Sequence, residues 1–222
     1  MKGRGIKGEG LVTIMSLFIT FEGGEGCGKS VQSRALYRQL SQLAIPALLT
    51  HEPGGTSLGK KLGRWLKWAK DTDMSPLTEL LLFNASRAQL VTEVIQPNLE
   101  SGITVICDRY ADSTTAYQGF GRGLDLEVVK AINDAATQGL KPDLTILLDM
   151  PVETGLARKR GRRQDRFEQE DIGFHQRVRD GYLKLAANEP QRWLVIDATQ
   201  SKAKIAQIIW QRISQLLSHG KG

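Results

Sequence analysis

The sequence predicts an α/β fold: a doubly wound, five-stranded parallel sheet with helices on both faces. Three observations predict it. The runs 103–107 (ITVIC) and 144–148 (LTILL) are continuously apolar rather than alternating, as central strands covered on both faces must be. Segments with apolar residues at helical spacing separate the strand-like runs. And Gly23-Gly24-Glu25-Gly26-Cys27-Gly28-Lys29-Ser30 lies between the first apolar run and the first helical segment, in the spacing of a phosphate-binding loop.

That loop's composition has a physical reason. Glycines permit a tight turn, successive N–H groups can face phosphate oxygens, and the following helix N-terminus adds positive potential. Lys29 then supplies a mobile charge for the β- and γ-phosphates, and the Ser30 hydroxyl is placed for Mg²⁺. Glu25 is the odd residue in a loop built for anions. It should face a hydroxyl, a water or a metal rather than phosphate, which points to a second substrate beside the first.

The elements follow in order. Residues 1–14 are Gly-rich and charged, so a disordered extension is expected there, and Met15 is a candidate native start directly before the strand 16–21. After the loop, Leu36, Leu40 and Leu43 mark a helix and 45–50 a short buried strand. The Pro-Gly-Gly loop at 51–56 follows, then a helix marked by Leu58, Leu62, Trp65 and Ala69. Ser75-Pro76 reads as N-cap and first-turn proline of a longer helix, with Leu81, Asn84/Ala85, Ala88, Val91 and Ile95 as its buried stripe; Pro97 should kink it or mark its end. The strand at 103–107 ends in Asp108-Arg109, residues 124–137 look helical, and the strand at 144–148 ends in Asp149. A last strand, 192–196, leads to Asp197-Ala198, and a closing helix spans 202–217. In such a sheet ligands bind at the carboxyl ends of the strands, where Glu25, Glu52, Asp108, Arg109, Asp149 and Asp197 fall.

Composition bounds the rest. With 222 residues and 41% hydrophobic, the chain can bury one full core, so 15–222 is read as a single domain with a local insertion. The net charge of +6 favours anionic partners. No apolar run approaches the ~20 residues that cross a bilayer. Cys27 and Cys107 do not look like a disulfide pair, so a cytoplasmic location is expected. A GTP-dependent switch is excluded, because Asn-Lys-X-Asp and Asp-X-X-Gly are both absent. Asp108 and Asp149 compete to organise the metal, and Arg109 beside Asp108 favours the former.

At this point the residues resemble a known family. Phe21-Glu-Gly-Gly-Glu-Gly-Cys-Gly-Lys-Ser30, His51-Glu-Pro-Gly-Gly-Thr56, Leu82-Phe-Asn-Ala-Ser-Arg87, Asp108-Arg-Tyr, Ser113-Thr-Thr-Ala-Tyr-Gln-Gly119, Asp165-Arg-Phe-Glu168 and Ile196-Asp-Ala198 resemble bacterial thymidylate kinase, in the same order and over about 16–217. The resemblance implies a kinase with a phosphate-binding loop that passes the γ-phosphoryl of ATP to dTMP with Mg²⁺, for dTTP synthesis. It implies ATP on Gly23, Gly24, Glu25, Gly26, Cys27, Gly28, Lys29 and Ser30, with Asp197 and Ala198. It implies dTMP on Glu25, His51, Pro53, Phe83, Arg87, Arg109, Thr114, Tyr117 and Gln118. Phe83 would stack on thymine, Arg87 donate to its O4, Tyr117 crowd the sugar C2′, and Glu25 take the 3′-hydroxyl side. Arg109 would hold the dTMP phosphate, with Ser30 and Asp108 on Mg²⁺, partly through water.

The basic run 158–166 then reads as a lid, about 156–170, whose arginines replace the arginine missing from the phosphate loop. This lid is about one residue shorter than the family pattern. Arg158 and Arg163 are favoured as catalytic beside Lys29, Arg109 and Glu25, with Arg162 and Arg166 next. His51 stands where the family pattern has Arg, removing a permanent cation. A homodimer through helices near 57–95 is implied, with no nucleic-acid or membrane partner. The rivals are another nucleoside or nucleoside monophosphate kinase, and a phosphate-loop ATPase on nucleic acid, against which the absence of aromatics in 158–166 counts.

Overall fold

The computed structural model describes residues 16–69, 73–161 and 163–219. Five parallel strands run in the order β2-β3-β1-β4-β5: β1 Phe18–Glu22, β2 Ala47–His51, β3 Thr104–Asp108, β4 Leu144–Asp149 and β5 Trp193–Asp197. The chain lays β2 and β3 on one side of β1, and β4 and β5 on the other. The crevice at the carboxyl edge therefore opens at β1, where the phosphate loop leaves the sheet. Register brings the strand ends level: Phe21 and His51 each lie beside Asp108, Glu22 beside Leu147, and Asp149 beside Asp197. The expected segment 1–14, Met15 and Arg162 lie outside the described residues.

The continuous apolar runs do what they predict. All five β1 residues are buried, as are five of the six in β4, whereas edge strand β2 is mostly half-buried. One face of the sheet is covered by α1 (Lys29–Gln42) and α9 (Lys202–His219), through Leu36, Leu40, Ile205, Ile209 and Ile213. The other face carries two clusters. Phe18, Val105 and Tyr110 meet Leu90, Val91 and Ile95, and Leu147 and Trp193 meet Tyr117 and the α8 (Ile172–Asn188) residues Phe174, Val178 and Tyr182.

Helix α2 spans Ser57–Trp68, capped by Thr56, and α3 spans Pro76–Leu90, capped by Ser75 as the sequence predicts. A π-helical segment, Val91–Ile95, links α3 to α4 (Gln96–Glu100). Pro97 marks its effect there: it has no N–H to return to the turn before it, and the helix ends within four residues. The short α5 (Ala111–Thr114) runs into a second π-helical stretch, Thr115–Gly121, followed by α6 (Leu126–Thr137) and α7 (Val152–Ala157).

Two helix faces differ from expectation. In α2 the inward face is Gly59, Gly63 and Leu66, while Leu58 and Trp65 are exposed. In α3 the buried stripe runs through Leu80, Asn84, Arg87, Val91 and Ile95, and Leu81 and Ala85 point outward. The reason is local: α2 and α3 pack closely, and Gly59 and Gly63 let α2 sit against Ser86 and Pro53, which turns its apolar stripe away from the core.

Candidate active site

A cavity of about 620 Å³ opens at the carboxyl edge. Its floor starts with the phosphate loop. Gly23 and Gly26 have φ of +135° and +70°, the left-handed region that favours glycine, and a side chain at Gly26 would run into the Gly155 carbonyl of α7. Lys29 Nζ donates to the Gly23 and Gly24 carbonyls, at 3.0 and 2.7 Å, so the lysine braces the loop that contains it. Ser30 Oγ donates to Asp108 Oδ2, joining the start of α1 to the end of β3. The two oxygens suit a hard cation. Mg²⁺ would draw its remaining ligands from phosphate and water.

Glu25 finds a cation first. Its Oε1 accepts from Arg109 Nη2 at 2.6 Å and from the Tyr117 hydroxyl at 2.8 Å, and Lys159 Nζ lies 3.8 Å from Oε2. Burial pushes the Glu25 carboxyl up, but Arg109 and Lys29 outweigh it and hold it well below the usual carboxylate range. Arg109 itself has φ +73° and stacks its guanidinium 5.0 Å over the Tyr117 ring.

Beside this pair sits an apolar wall. Phe83 packs on Phe167 with ring centroids 5.6 Å apart, and both line the cavity with Tyr117 and Pro53. The Glu52–Pro53 peptide is cis. Arg87 is buried and lines the cavity too, but its five N–H donors all have protein acceptors: Glu52, Asn84, Asn133, the Tyr110 carbonyl and Thr114. Any donation to a base must therefore be shared. Gln118 lines the cavity and donates to Glu79 at 2.7 Å.

His51 lies at the mouth. Desolvation, Lys67 and Lys60 push its imidazole below the ordinary value against the pull of Asp108, so it is neutral at pH 7. Lys67 also lines the cavity, bringing a cation close to the one His51 lacks.

The cations of the basic run 158–166 separate. Arg158 lines the cavity and donates to the Ala198 carbonyl, with both contacts at 3.4 Å, and Lys159 lines it while pairing with Glu168 at 2.5 Å. Arg163 lies over Trp68 at 4.4 Å, and Arg166 pairs with buried Glu79; neither faces the cavity. Asp149 is bound by Arg179 at 2.7 and 2.9 Å. Asp197 caps its own turn through Thr199, and neither Asp197 nor Ala198 lines the cavity. Gly23, Gly24 and Cys27, though part of the loop, do not line the cavity.

The comparisons decide what this assembly is. Residues 21–209 match the family model described as thymidylate kinase. A thymidylate kinase of Dehalococcoides mccartyi strain 195 is 59% identical over 203 residues, covering 91% of this chain and 98% of the relative. The chain belongs to the thymidylate kinase family. One from Trichlorobacter lovleyi is 50% identical, covering 87% of this chain and 94% of that one. The crystal structure of thymidylate kinase from Ehrlichia chaffeensis superposes with TM-score 0.73 at 34% identity, over 89% of this chain and 98% of that one. The chain is a phosphotransferase on a five-stranded parallel sheet with helices around it.

Sequence reasoning missed Glu22 and Lys159, and the partner of Glu52. Glu22 follows the apolar run 16–21 and is the last residue of β1. Glu52 falls among the strand-end acids but pairs with Arg87 rather than facing substrate alone, and Lys159 hides in a basic run. For Glu22 a usable signal was present, a carboxylate at the carboxyl end of a strand.

Proposed function

We propose that the chain transfers the γ-phosphoryl of ATP to dTMP, giving dTDP, with ATP on the phosphate loop and dTMP on the Arg109 side. The observation that carries the reading is the Glu25–Arg109–Tyr117 cluster, which puts a cation, a hydrogen-bond acceptor and an aromatic ring one step from Lys29 in the same cavity. Arg109 takes the acceptor phosphate, Glu25 the 3′-hydroxyl side, and Tyr117 the space beside the sugar. Phe83 offers its ring to the base, with Arg87, Thr114 and Gln118 behind it and Pro53 and His51 at the edge.

Phosphoryl transfer requires mainly positioning and charge neutralisation. Lys29 and the loop N–H groups neutralise the donor, and Arg158 closes from the lid. Ser30 and Asp108 would hold Mg²⁺, which would act there as a Lewis acid on the donor's phosphate charge. A coupled assay with ATP and Mg²⁺ over dTMP, dUMP, dCMP, dAMP and dGMP tests the assignment. Turnover is expected to be fastest with dTMP, and no dTMP turnover would remove the reading.

The chain is further inferred to act as a cytoplasmic homodimer. Leu58 and Trp65 of α2 and Leu77 and Leu81 of α3 are each more than 40% exposed, which supports an apolar contact there. Sedimentation should give twice the chain mass, and Trp65→Glu should halve it. Among the described residues no helix is long and apolar enough to cross a membrane.

A further inference from the structure

We infer that Glu22 is a positioning residue for Arg109, fixing both the backbone and the guanidinium that receives the acceptor phosphate. The inference rests on the proposed role of Arg109. Glu22 is fully buried beneath the cavity and does not line it, so it can act only through its neighbours.

The two carboxylate oxygens divide the task. Oε1 accepts the Tyr110 N–H at 2.7 Å, on the residue directly after the left-handed turn that Arg109 makes at φ +73°. A non-glycine residue held there is sustained by its surroundings. Besides this carboxylate, the bond from Arg109 N–H to the Phe21 carbonyl holds that turn, at 3.0 Å. Oε2 accepts from the Ser113 and Tyr182 hydroxyls, at 2.6 and 2.8 Å. Those same hydroxyl oxygens lie 2.9 Å apart and accept from Arg109 Nη1, at 3.3 and 3.5 Å, beside the bond Nη1 gives the Gly23 carbonyl at 3.2 Å.

A hydroxyl has one proton. If Ser113 and Tyr182 give theirs to Glu22, their lone pairs remain for Arg109, whose N–H groups can only donate. Glu22 therefore sets the direction of a relay that runs from Arg109 through two hydroxyls to a carboxylate. An amide at this position would donate instead, turning the hydroxyl protons against the guanidinium.

The charged groups around Glu22 are few. Asp112 of α5 faces it with like charge and is itself bound by Arg192 at 2.6 and 3.0 Å. Arg109 faces it from the end of β3, and Tyr182 from α8. Burial and Asp112 push the Glu22 carboxyl up to about 7, against Ser113, Arg109 and Tyr182. The relay is thus poised to change direction near neutral pH.

Steady-state kinetics on Glu22→Gln, Tyr182→Phe and Arg109→Ala test this. Glu22→Gln should raise KM for dTMP on the order of 10-fold and leave KM for ATP within about twofold, as loss of an aligned charge-assisted contact implies. The ratio of wild-type to variant KM for dTMP cancels the ionisation of the substrate. That ratio should change across pH 6–8, because Glu22 titrates there in the wild type and its glutamine replacement does not. Tyr182→Phe should show the same selectivity, smaller, and serves alone if Glu22→Gln fails to fold. Equal rises in both KM values, or a ratio independent of pH, would overturn the inference. If Arg109→Ala raises KM for dTMP and neither relay variant does, the relay fails and the role of Arg109 stands. If Arg109→Ala leaves KM for dTMP unchanged, the reading of Arg109 fails first.

Discussion

The floor of the site and its lid use the same kinds of charge in opposite ways. On the floor, Glu25, Arg109 and Tyr117 are bound to one another, each through two contacts, and Glu22 beneath them is held by Tyr110, Ser113 and Tyr182, on elements fixed by the sheet. In the lid, four of the five described cations point three ways: Arg158 and Lys159 to the cavity, Arg163 to Trp68, Arg166 to Glu79. A preformed floor selects and orients the acceptor without reorganisation, which is how electrostatic preorganisation lowers a barrier. The lid's outward arginines anchor it instead: the Arg166 N–H also donates to the Lys67 carbonyl, tying the lid to the end of α2.

The comparison can be broken at its strongest point by removing a buried partner from the floor. Glu52→Ala leaves the fully buried Arg87 guanidinium without its ion pair, and should cost about 3–5 kcal/mol of stability. Urea unfolding measures it; a loss under about 1 kcal/mol would mean that Asn84, Asn133 and Thr114 hold Arg87 unaided.

The lid yields a smaller and different effect. Arg158→Ala should lower kcat about 100-fold with little change in unfolding midpoint, the usual scale for one transition-state charge contact. Arg163→Ala should change kcat less than about threefold. The reverse ranking would show that the lid rearranges on closing so that Arg163 leaves Trp68.

The smallest effect sharpens the edge of the floor. His51 is depressed below its ordinary value by burial, Lys67 and Lys60, so it is neutral at pH 7 and gains charge only as pH falls below the ordinary imidazole range. His51→Arg should tighten dTMP binding a few-fold at pH 8, with the advantage shrinking toward pH 5.5. An advantage independent of pH would remove imidazole charge from the argument.

Much of this was legible in the sequence. Continuous apolar runs marked the central strands, and the acids and Arg109 at their ends marked the cavity edge, because strand direction alone places those residues. Helical periodicity gave a face for α2 but not the neighbour it would meet, and Gly59 and Gly63 turned that face outward. The basic run 158–166 showed charge without partners, since Glu79 lies 87 residues from Arg166. Glu22 was hidden for a related reason: its hydroxyl partners are 91 and 160 residues away.

The most direct test of the difference between floor and lid is calorimetric titration of dTMP in the absence of ATP. A preformed floor predicts that dTMP binds the wild type and Arg158→Ala alike, and that Arg109→Ala weakens it at least about 10-fold. Loss of dTMP binding in Arg158→Ala equal to that in Arg109→Ala would contradict the account, because the acceptor site would then need the lid to exist.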